Sequence, residues 1–347
     1  MPIIANNGES LYAYHQHADM LTCYHAQNRS PVLTQARQQE PAIASRQDGE
    51  KMVKVTELGY LGLNITDAQA WRSYAAECVG LEVLDEGESD RFYLRMDNWH
   101  HRFVMHVGTQ DDMAYMGWRV DDSGALKAME QQLRDAGIEY RVASADEGAE
   151  RHVLGLLKLK DPSGIPTEIF YGPRIDAHLP FHPGRRMHGK FITGSEGLGH
   201  CLIAAKDPAE TWRFYSLLGL TGAVGYHLQT PVGVVKPFFM HCNGRHHSVA
   251  FGVPSEKLLN HMMLEYTELN DLGMAHDIVR KRGFPVALQL GKHSNDDALT
   301  FYSASPSGWL MELGWGSGKS QAQEQYHLLD VFGHGPEATG MGLDVKL

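Results

Sequence analysis

Pro306-Ser307-Gly308-Trp309-Leu310-Met311-Glu312-Leu313-Gly314-Trp315-Gly316 echoes an earlier stretch of the same chain, Pro162-Ser163-Gly164 followed by Glu168-Ile169-Phe170-Tyr171-Gly172. In both, a glutamate stands four residues after the glycine of a Pro-Ser-Gly turn, on an apolar run that reads as a strand. The echo extends upstream. Glu57-Leu58-Gly59-Tyr60 compares with Gly197-Leu198-Gly199-His200, and Ala114-Tyr115-Met116 compares with Asn260-His261-Met262. The N-terminal half therefore keeps a glutamate, Glu168, but carries Tyr60 and Tyr115 where the C-terminal half carries His200 and His261. One half can hold a metal, and the other lacks the nitrogen ligands.

The repeat has a finer grain. A strand over 58–65 is followed by a helix over 70–79, with Trp71, Tyr74, Ala75 and Cys78 at i, i+3, i+4 and i+7. Strands over 81–84, 92–96 and 103–107 come next. The same order returns with a strand over 114–120, a helix over 125–136 closed by Gly137, and strands near Tyr140, over 154–159 and over 167–171. It starts again at Leu198, with a helix over 210–218, and at Leu259, with a helix over 272–282 stopped by Gly283. Four βαβββ units predict an α+β fold paired into two domains, 53–175 and 195–318. The Pro-, Gly- and His-rich segment 176–194 is the expected linker, and 319–347 a C-terminal tail. Residues 1–52 read as a polar, weakly ordered arm, unless translation begins at Met52; the scattered His15, His17 and His25 carry no metal pattern.

Composition narrows the function. The chain has 347 residues, with 31 basic against 42 acidic side chains and a formal charge of −11, which argues against nucleic acid as a partner. Four cysteines without CxxC spacing read as reduced thiols of a cytoplasmic protein. No apolar run suits a membrane span, and the N-terminus lacks the features of a signal peptide. A small molecule is the expected partner.

Two imidazoles and one carboxylate, His200, His261 and Glu312, make the donor set that leaves positions open on an octahedral ion. Iron(II) suits it because substrate and dioxygen chemistry needs those positions and a one-electron couple. Mn(II) accepts similar ligands, while zinc tends toward four-coordination. A histidine on an apolar strand is ordinarily a satisfied core residue; corresponding positions in repeated units are what raise these three above that reading.

From about Val53 to Gly316 the chain resembles the two-domain type I extradiol ring-cleaving dioxygenases of the vicinal oxygen chelate superfamily, on the branch that acts on 2,3-dihydroxybiphenyl and 1,2-dihydroxynaphthalene. The residues that carry the resemblance are Gly197-Leu-Gly-His200, His241-Cys-Asn-Gly-Arg-His246-His247, His261-Met-Met-Leu-Glu265, Gly291-Lys-His293-Ser-Asn295-Asp296 and Glu312-Leu-Gly-Trp-Gly316. The resemblance implies a curved mixed sheet around a cavity in each domain, Fe(II) on His200, His261 and Glu312, and a homo-oligomer. The implied reaction inserts both atoms of O₂ beside the diol of a substituted or bicyclic catechol, giving a ring-opened hydroxy-keto-dienoate. His247 would move a catechol proton and return one later, a task suited to an imidazole near its ordinary pKa. Spacing alone does not choose between His247 and His246; the family pattern favours His247. His293 and Tyr302 would hydrogen-bond a substrate oxygen, and Asn295 and Asp296 would orient the site at the substrate. Val249, Phe251, Met240, Trp212 and Phe239 are the expected apolar wall. Rival readings are a monocyclic catechol 2,3-dioxygenase, a glyoxalase-like isomerase or thiol transferase, and a non-enzymatic small-molecule-binding protein of the same fold.

Overall fold

The computed structural model describes residues 52–225, 227–230, 233–320 and 330–335. The arm at 1–51, with its three histidines, and most of the tail lie outside the described residues. The first unit comprises β1 (Glu57–Ile65), α1 (Ala68–Ser73), a π-helical turn (Tyr74–Val79), β2 (Glu82–Leu84), β3 (Arg91–Arg95) and β4 (Phe103–Val107). The second comprises β5 (Asp112–Arg119), α2 (Ser123–Asp135), β6 (Tyr140–Val142), α3 (Ala145–Glu150), β7 (Val153–Lys160) and β8 (Pro166–Pro173). The third comprises β9 (His200–Ile203), α4 (Pro208–Leu217), β10 (Thr221–Gly225), the hairpin β11 (Leu228–Thr230) and β12 (Gly233–Val235), β13 (Phe238–His241) and β14 (Val249–Phe251). The fourth comprises β15 (Leu259–Tyr266), α5 (Leu269–Lys281), β16 (Val286–Lys292), β17 (Leu299–Ala304) and β18 (Leu310–Trp315).

Local chemistry accounts for the boundaries. Asp67 accepts from Ala70 N at 2.8 Å at the start of α1, and Asp122 does the same for Ala125 N in α2. The helix expected over 70–79 starts earlier and changes to π geometry at Tyr74, ending at Gly80 with φ of 97°. Helix α3 was not expected; its signal is the capping box Ser144-x-x-Glu147, in which Glu147 N donates to Ser144 Oγ and Ser144 N donates back to Glu147 Oε2.

Each half closes into a mixed sheet of eight strands, in the orders β2-β3-β4-β1-β5-β8-β7-β6 and β10-β13-β14-β9-β15-β18-β17-β16. Within a sheet the two units meet through their first strands, which run antiparallel (β1 with β5, β9 with β15), and each first strand pairs in parallel with the last strand of its unit. The halves also meet each other. Trp71 stacks against Trp309 with ring centroids 5.0 Å apart and donates from Nε1 to Ser307 Oγ at 2.8 Å. The segment expected as a linker is pinned rather than loose: buried Asp271 accepts from His188 N at 2.9 Å and from Gly189 N at 2.8 Å. Among the described residues, no helix is long and apolar enough to cross a membrane.

Candidate metal centre

Strand register assembles the centre. Across four adjacent strands, His200 on β9 pairs with Met263 on β15, Met263 with Glu312 on β18, and Glu312 with Tyr302 on β17. Paired residues project to the same side of a sheet, and His261 lies two residues before Met263, so all of these side chains leave one face. His200 Nε2 comes to 3.1 Å and His261 Nε2 to 3.5 Å from the same oxygen, Glu312 Oε2. The three ligand atoms lie within 4.8 Å of one another.

The donor set fits a divalent cation. Glu312 is buried, and an ionised carboxylate there needs positive charge or hydrogen-bond donors. Burial pushes its pKa up, but hydrogen bonds from His200 and His293 outweigh that and hold it well below the usual carboxylate range. His261 Nδ1 lies 3.1 Å from Asn260 Oδ1 and donates to it, which leaves the Nε2 lone pair directed at the centre. Burial holds His261 down to about 3, so the lone pair is free at neutral pH. Once a cation takes the place of the His200 Nε2 proton, two imidazole nitrogens and one carboxylate oxygen match the two-histidine, one-carboxylate pattern.

Around this core, the ring of His247 sits 3.9 Å from that of His200, with Phe239 edge-on at 4.8 Å. His246 lies behind, its Nδ1 3.0 Å from His247 Nδ1, so that His247 has only Nε2 left for a substrate. Asp296 groups with this histidine pair, its ligand atom within 4.8 Å of theirs, while its Oδ1 accepts from Ala298 N. The expectation of a near-ordinary pKa for His247 is corrected: burial, aided by the His200 and His246 rings, pushes it well below the usual imidazole range. Arg245, buried, donates to Glu265 at 2.7 Å and to Glu196 O, tying the loop that carries the pair to β15.

On the opposite side, His293 Nε2 lies 3.0 Å from the Tyr302 hydroxyl and 3.2 Å from Glu312 Oε1. Burial lowers its pKa, but the hydrogen bonds to Asp330 and Glu312 more than compensate and push it up to about 10. Burial, with the Glu312 charge, keeps the Tyr302 phenol protonated. Asn295 presents a buried Oδ1 with no protein partner among the described residues.

The expected wall needs correction. Only Phe239, of the five, has a ring contact with the site. Met240, Val249 and Phe251 are fully buried in the core, and Trp212 packs beside Phe238 and Gly222. Alternation explains it: on β13, Phe239 and Met240 point to opposite faces.

In the N-terminal half the corresponding row is Tyr60, Gly117, Glu168 and Lys158. The Tyr60 ring covers Gly117 and the Tyr115 ring covers Gly62, each where a Cβ would come within 2.4 Å of ring carbons. The Tyr60 hydroxyl donates to Glu168 at 2.7 Å, Arg151 Nε donates to it at 3.1 Å, and the Arg151 guanidinium lies 4.0 Å over the Tyr115 ring. The place that corresponds to the candidate metal centre is filled by phenols and a guanidinium. Even the histidine pair is duplicated, with His100 Nδ1 3.1 Å from His101 Nδ1. Sequence reasoning missed this, although Trp99-His100-His101 against Arg245-His246-His247 was there to find.

The Dihydroxybiphenyl dioxygenase BphC D1 family matches residues 58–108, and the Glyoxalase/Bleomycin resistance protein/Dioxygenase superfamily matches residues 197–313. A biphenyl-2,3-diol 1,2-dioxygenase of Sphingomonas paucimobilis is 62% identical over 85% of this chain and 100% of its own length. A 1,2-dihydroxynaphthalene dioxygenase of Sphingobium xenophagum is 61% identical over 85% and 100% respectively. A crystal structure of a catechol 2,3-dioxygenase superposes with a TM-score of 0.82 at 58% identity, covering 85% of this chain and 99% of the other. The chain belongs to the extradiol ring-cleaving dioxygenases of the glyoxalase/bleomycin resistance protein/dioxygenase superfamily.

Proposed function

We propose that the chain opens the ring of a bicyclic or aryl-substituted 1,2-diol, of the type of 2,3-dihydroxybiphenyl or 1,2-dihydroxynaphthalene, with Fe(II) held by His200, His261 and Glu312. The observation that carries the reading is the convergence of both imidazole Nε2 atoms on Glu312 Oε2, at 3.1 and 3.5 Å. Iron is preferred over Mn(II) for its accessible one-electron couple. Bound there, it supplies Lewis acidity toward the diol and a redox partner for O₂. The choice of a two-ring substrate is supported by the two relatives that are 62% and 61% identical.

The residues around the centre then divide the proton work. His247, neutral and left with Nε2 alone, would accept a proton from the diol and give one back later in the reaction. His293 and Tyr302, 3.0 Å apart, donate to the substrate oxygen that stays ionised and hold the ring in one pose. Asn295 Oδ1 offers an acceptor to a substrate hydroxyl, and Asp296 orients the His246–His247 pair. Phe239 packs beside His247 and shields it from water.

Monocyclic catechol is the second reading, favoured by the catechol 2,3-dioxygenase crystal structure at 58% identity. Anaerobic loading with Fe(II), followed by air and 2,3-dihydroxybiphenyl, 1,2-dihydroxynaphthalene or catechol in parallel, tests both. Oxygen uptake with a coloured ring-fission product is expected, and the two-ring diols should have the higher kcat/KM. Higher kcat/KM for catechol would reverse the substrate assignment; no oxygen uptake with any diol by iron-loaded protein would overturn the function and favour a binding protein. The charge of −11 supports a partner set without nucleic acid. A homo-oligomer is proposed from the family resemblance, and a cytoplasmic location without a membrane partner from the cysteine pattern and the lack of a membrane-length apolar run; light scattering and fractionation read them.

A further inference from the structure

After β18 the chain comes back to the metal centre. Residues 330–335 run along β16: Val331 N donates to Lys292 O at 2.8 Å, Lys292 N to Phe332 O at 2.8 Å, and Gln289 N to Gly335 O at 3.0 Å. The approach leaves no room for side chains at two points. A Cβ on Gly291 would meet His334 N at 2.4 Å, and one on Gly333, whose φ is 78°, would meet Leu290 O at 2.2 Å.

This docking delivers Asp330 and His334. Asp330 Oδ1 accepts from His293 Nδ1 at 2.9 Å, and its Oδ2 accepts from His334 Nδ1 at 2.8 Å. His334 is itself buried and fixed from the far side, its Nε2 2.9 Å from Thr300 Oγ1 on β17. One carboxylate thus clasps two imidazoles whose rings lie 4.4 Å apart, and both of its oxygens are used. His293 follows the end of β16, and an imidazole there can otherwise swing about χ1 and χ2. With Nδ1 held by Asp330, its Nε2 is left facing Tyr302 and Glu312.

We propose that Asp330, braced by His334 and Thr300, is a positioning residue of the ring-cleaving site that acts by holding His293 toward the substrate. The proposal rests on the substrate-binding role given to His293 above. A carboxylate behind an imidazole fixes both its ring orientation and the nitrogen that carries hydrogen, and removing such a partner typically costs about 10- to 100-fold in activity. Nothing in the composition of the tail marks it; the function comes from where the backbone ladder places it.

The test compares Asp330→Ala, Asp330→Asn, His293→Ala and the double variant Asp330→Ala/His293→Ala, with Val331→Ser as a control at an exposed neighbour in the same segment. Single-turnover ring fission by the iron-loaded full chain keeps slow variants measurable, and iron content and Tm are read alongside. Asp330→Ala should slow ring fission by about 10- to 100-fold with iron content unchanged, while the loss of its two hydrogen bonds lowers Tm by several degrees without unfolding the protein at the assay temperature. Asp330→Asn, which keeps one oxygen acceptor, should lose less. Val331→Ser should match the parent. The double variant should be no slower than His293→Ala, because Asp330 acts only through that ring. Losses that multiply in the double variant would overturn the proposal, as would a parental rate or loss of iron in Asp330→Ala. A parental rate in His293→Ala alone would remove the site reading itself, whatever Asp330 does, and the proposal with it.

Discussion

Tyr60 and His200 occupy the same position in the two halves and reach the same target, the glutamate two strands away. The Tyr60 hydroxyl donates to Glu168 Oε2 at 2.7 Å, and His200 Nε2 lies 3.1 Å from Glu312 Oε2. A phenol is a neutral donor that can close a site around a carboxylate, whereas an imidazole brings a lone pair that can share the carboxylate with a cation. The same backbone thus supports a filled core on one side and a candidate metal centre on the other.

Tyr60→Phe should separate stability from catalysis. It removes one hydrogen bond from buried Glu168, whose remaining donors include Arg151 at 3.1 Å. A bond to a charged acceptor is worth ~1.5–3 kcal/mol, so Tm should fall by several degrees. The N-terminal site holds no diol-binding group, and kcat per bound iron should stay at the parental value. Thermal melts and steady-state rates on one preparation check both halves of the statement. A large loss of kcat with Tm intact would mean that the N-terminal half communicates with the metal centre.

A second prediction concerns the Pro-Ser-Gly turn of the N-terminal half. Asp161 Oδ1 accepts from Ser163 N and Ile165 N, both at 2.8 Å, but its Oδ2 is buried without a partner among the described residues. Burial outweighs the backbone hydrogen bonds and raises its pKa to about 6. The folded protein therefore binds this proton more tightly than the unfolded chain between pH ~4 and 6, and stability falls as pH rises through that window. Asp161→Asn keeps the Oδ1 acceptor and removes the charge, at the cost of a buried amide donor. The net gain above pH 6 should be on the order of 1 kcal/mol, vanishing below pH 4. Tm against pH for both proteins checks the sign; an Asn variant less stable at pH 7 than at pH 4, relative to parent, would reverse it.

Much of this arrangement was legible because strands have a period of two and the units repeat. Once Glu168 and Glu312 are aligned on their turns, Tyr60 and Tyr115 fall opposite His200 and His261, and the register of the sheet does the rest. The wall was not legible. Which of Phe239 and Met240 faces the centre depends on how β13 pairs with its neighbours, and hydrophobicity is the same for both. Arg151 was missed because the filling of an empty site leaves no apolar rhythm. Asp330 and His334 were missed for a related reason: Asp330 meets His293 across 37 positions of chain, from a tail with no periodicity to announce it.

His261→Ala should abolish tight metal binding. Its Nε2 lies 3.5 Å from Glu312 Oε2, and His200 Nε2 lies 3.1 Å from the same oxygen. With it gone, one nitrogen and one carboxylate remain, too few to hold the ion against water and chelators. Iron content after desalting should drop to background, and ring fission with it, while far-UV circular dichroism stays parental. Iron at parental occupancy would overturn the ligand assignment.

His247→Ala should give the opposite pattern, and the pair of variants together tests the division of labour. Its ring lies 3.9 Å from the His200 ring, yet it is not among the three groups that converge on one point. Removing it leaves the donor set whole, so iron should stay bound. What is lost is a neutral, buried base with a single free nitrogen, and general acid–base groups of this kind are worth ~10²–10⁴-fold. The expected result is kcat lower by about that factor with KM changed little, because His293 and Tyr302 still hold the substrate oxygen. His246→Ala provides the internal comparison. It removes the group behind His247 Nδ1, so it should weaken turnover less than His247→Ala and leave iron in place. If His246→Ala proved the more damaging of the two, the acid–base role would pass to His246, and the loop held by Arg245 would have to turn to present it.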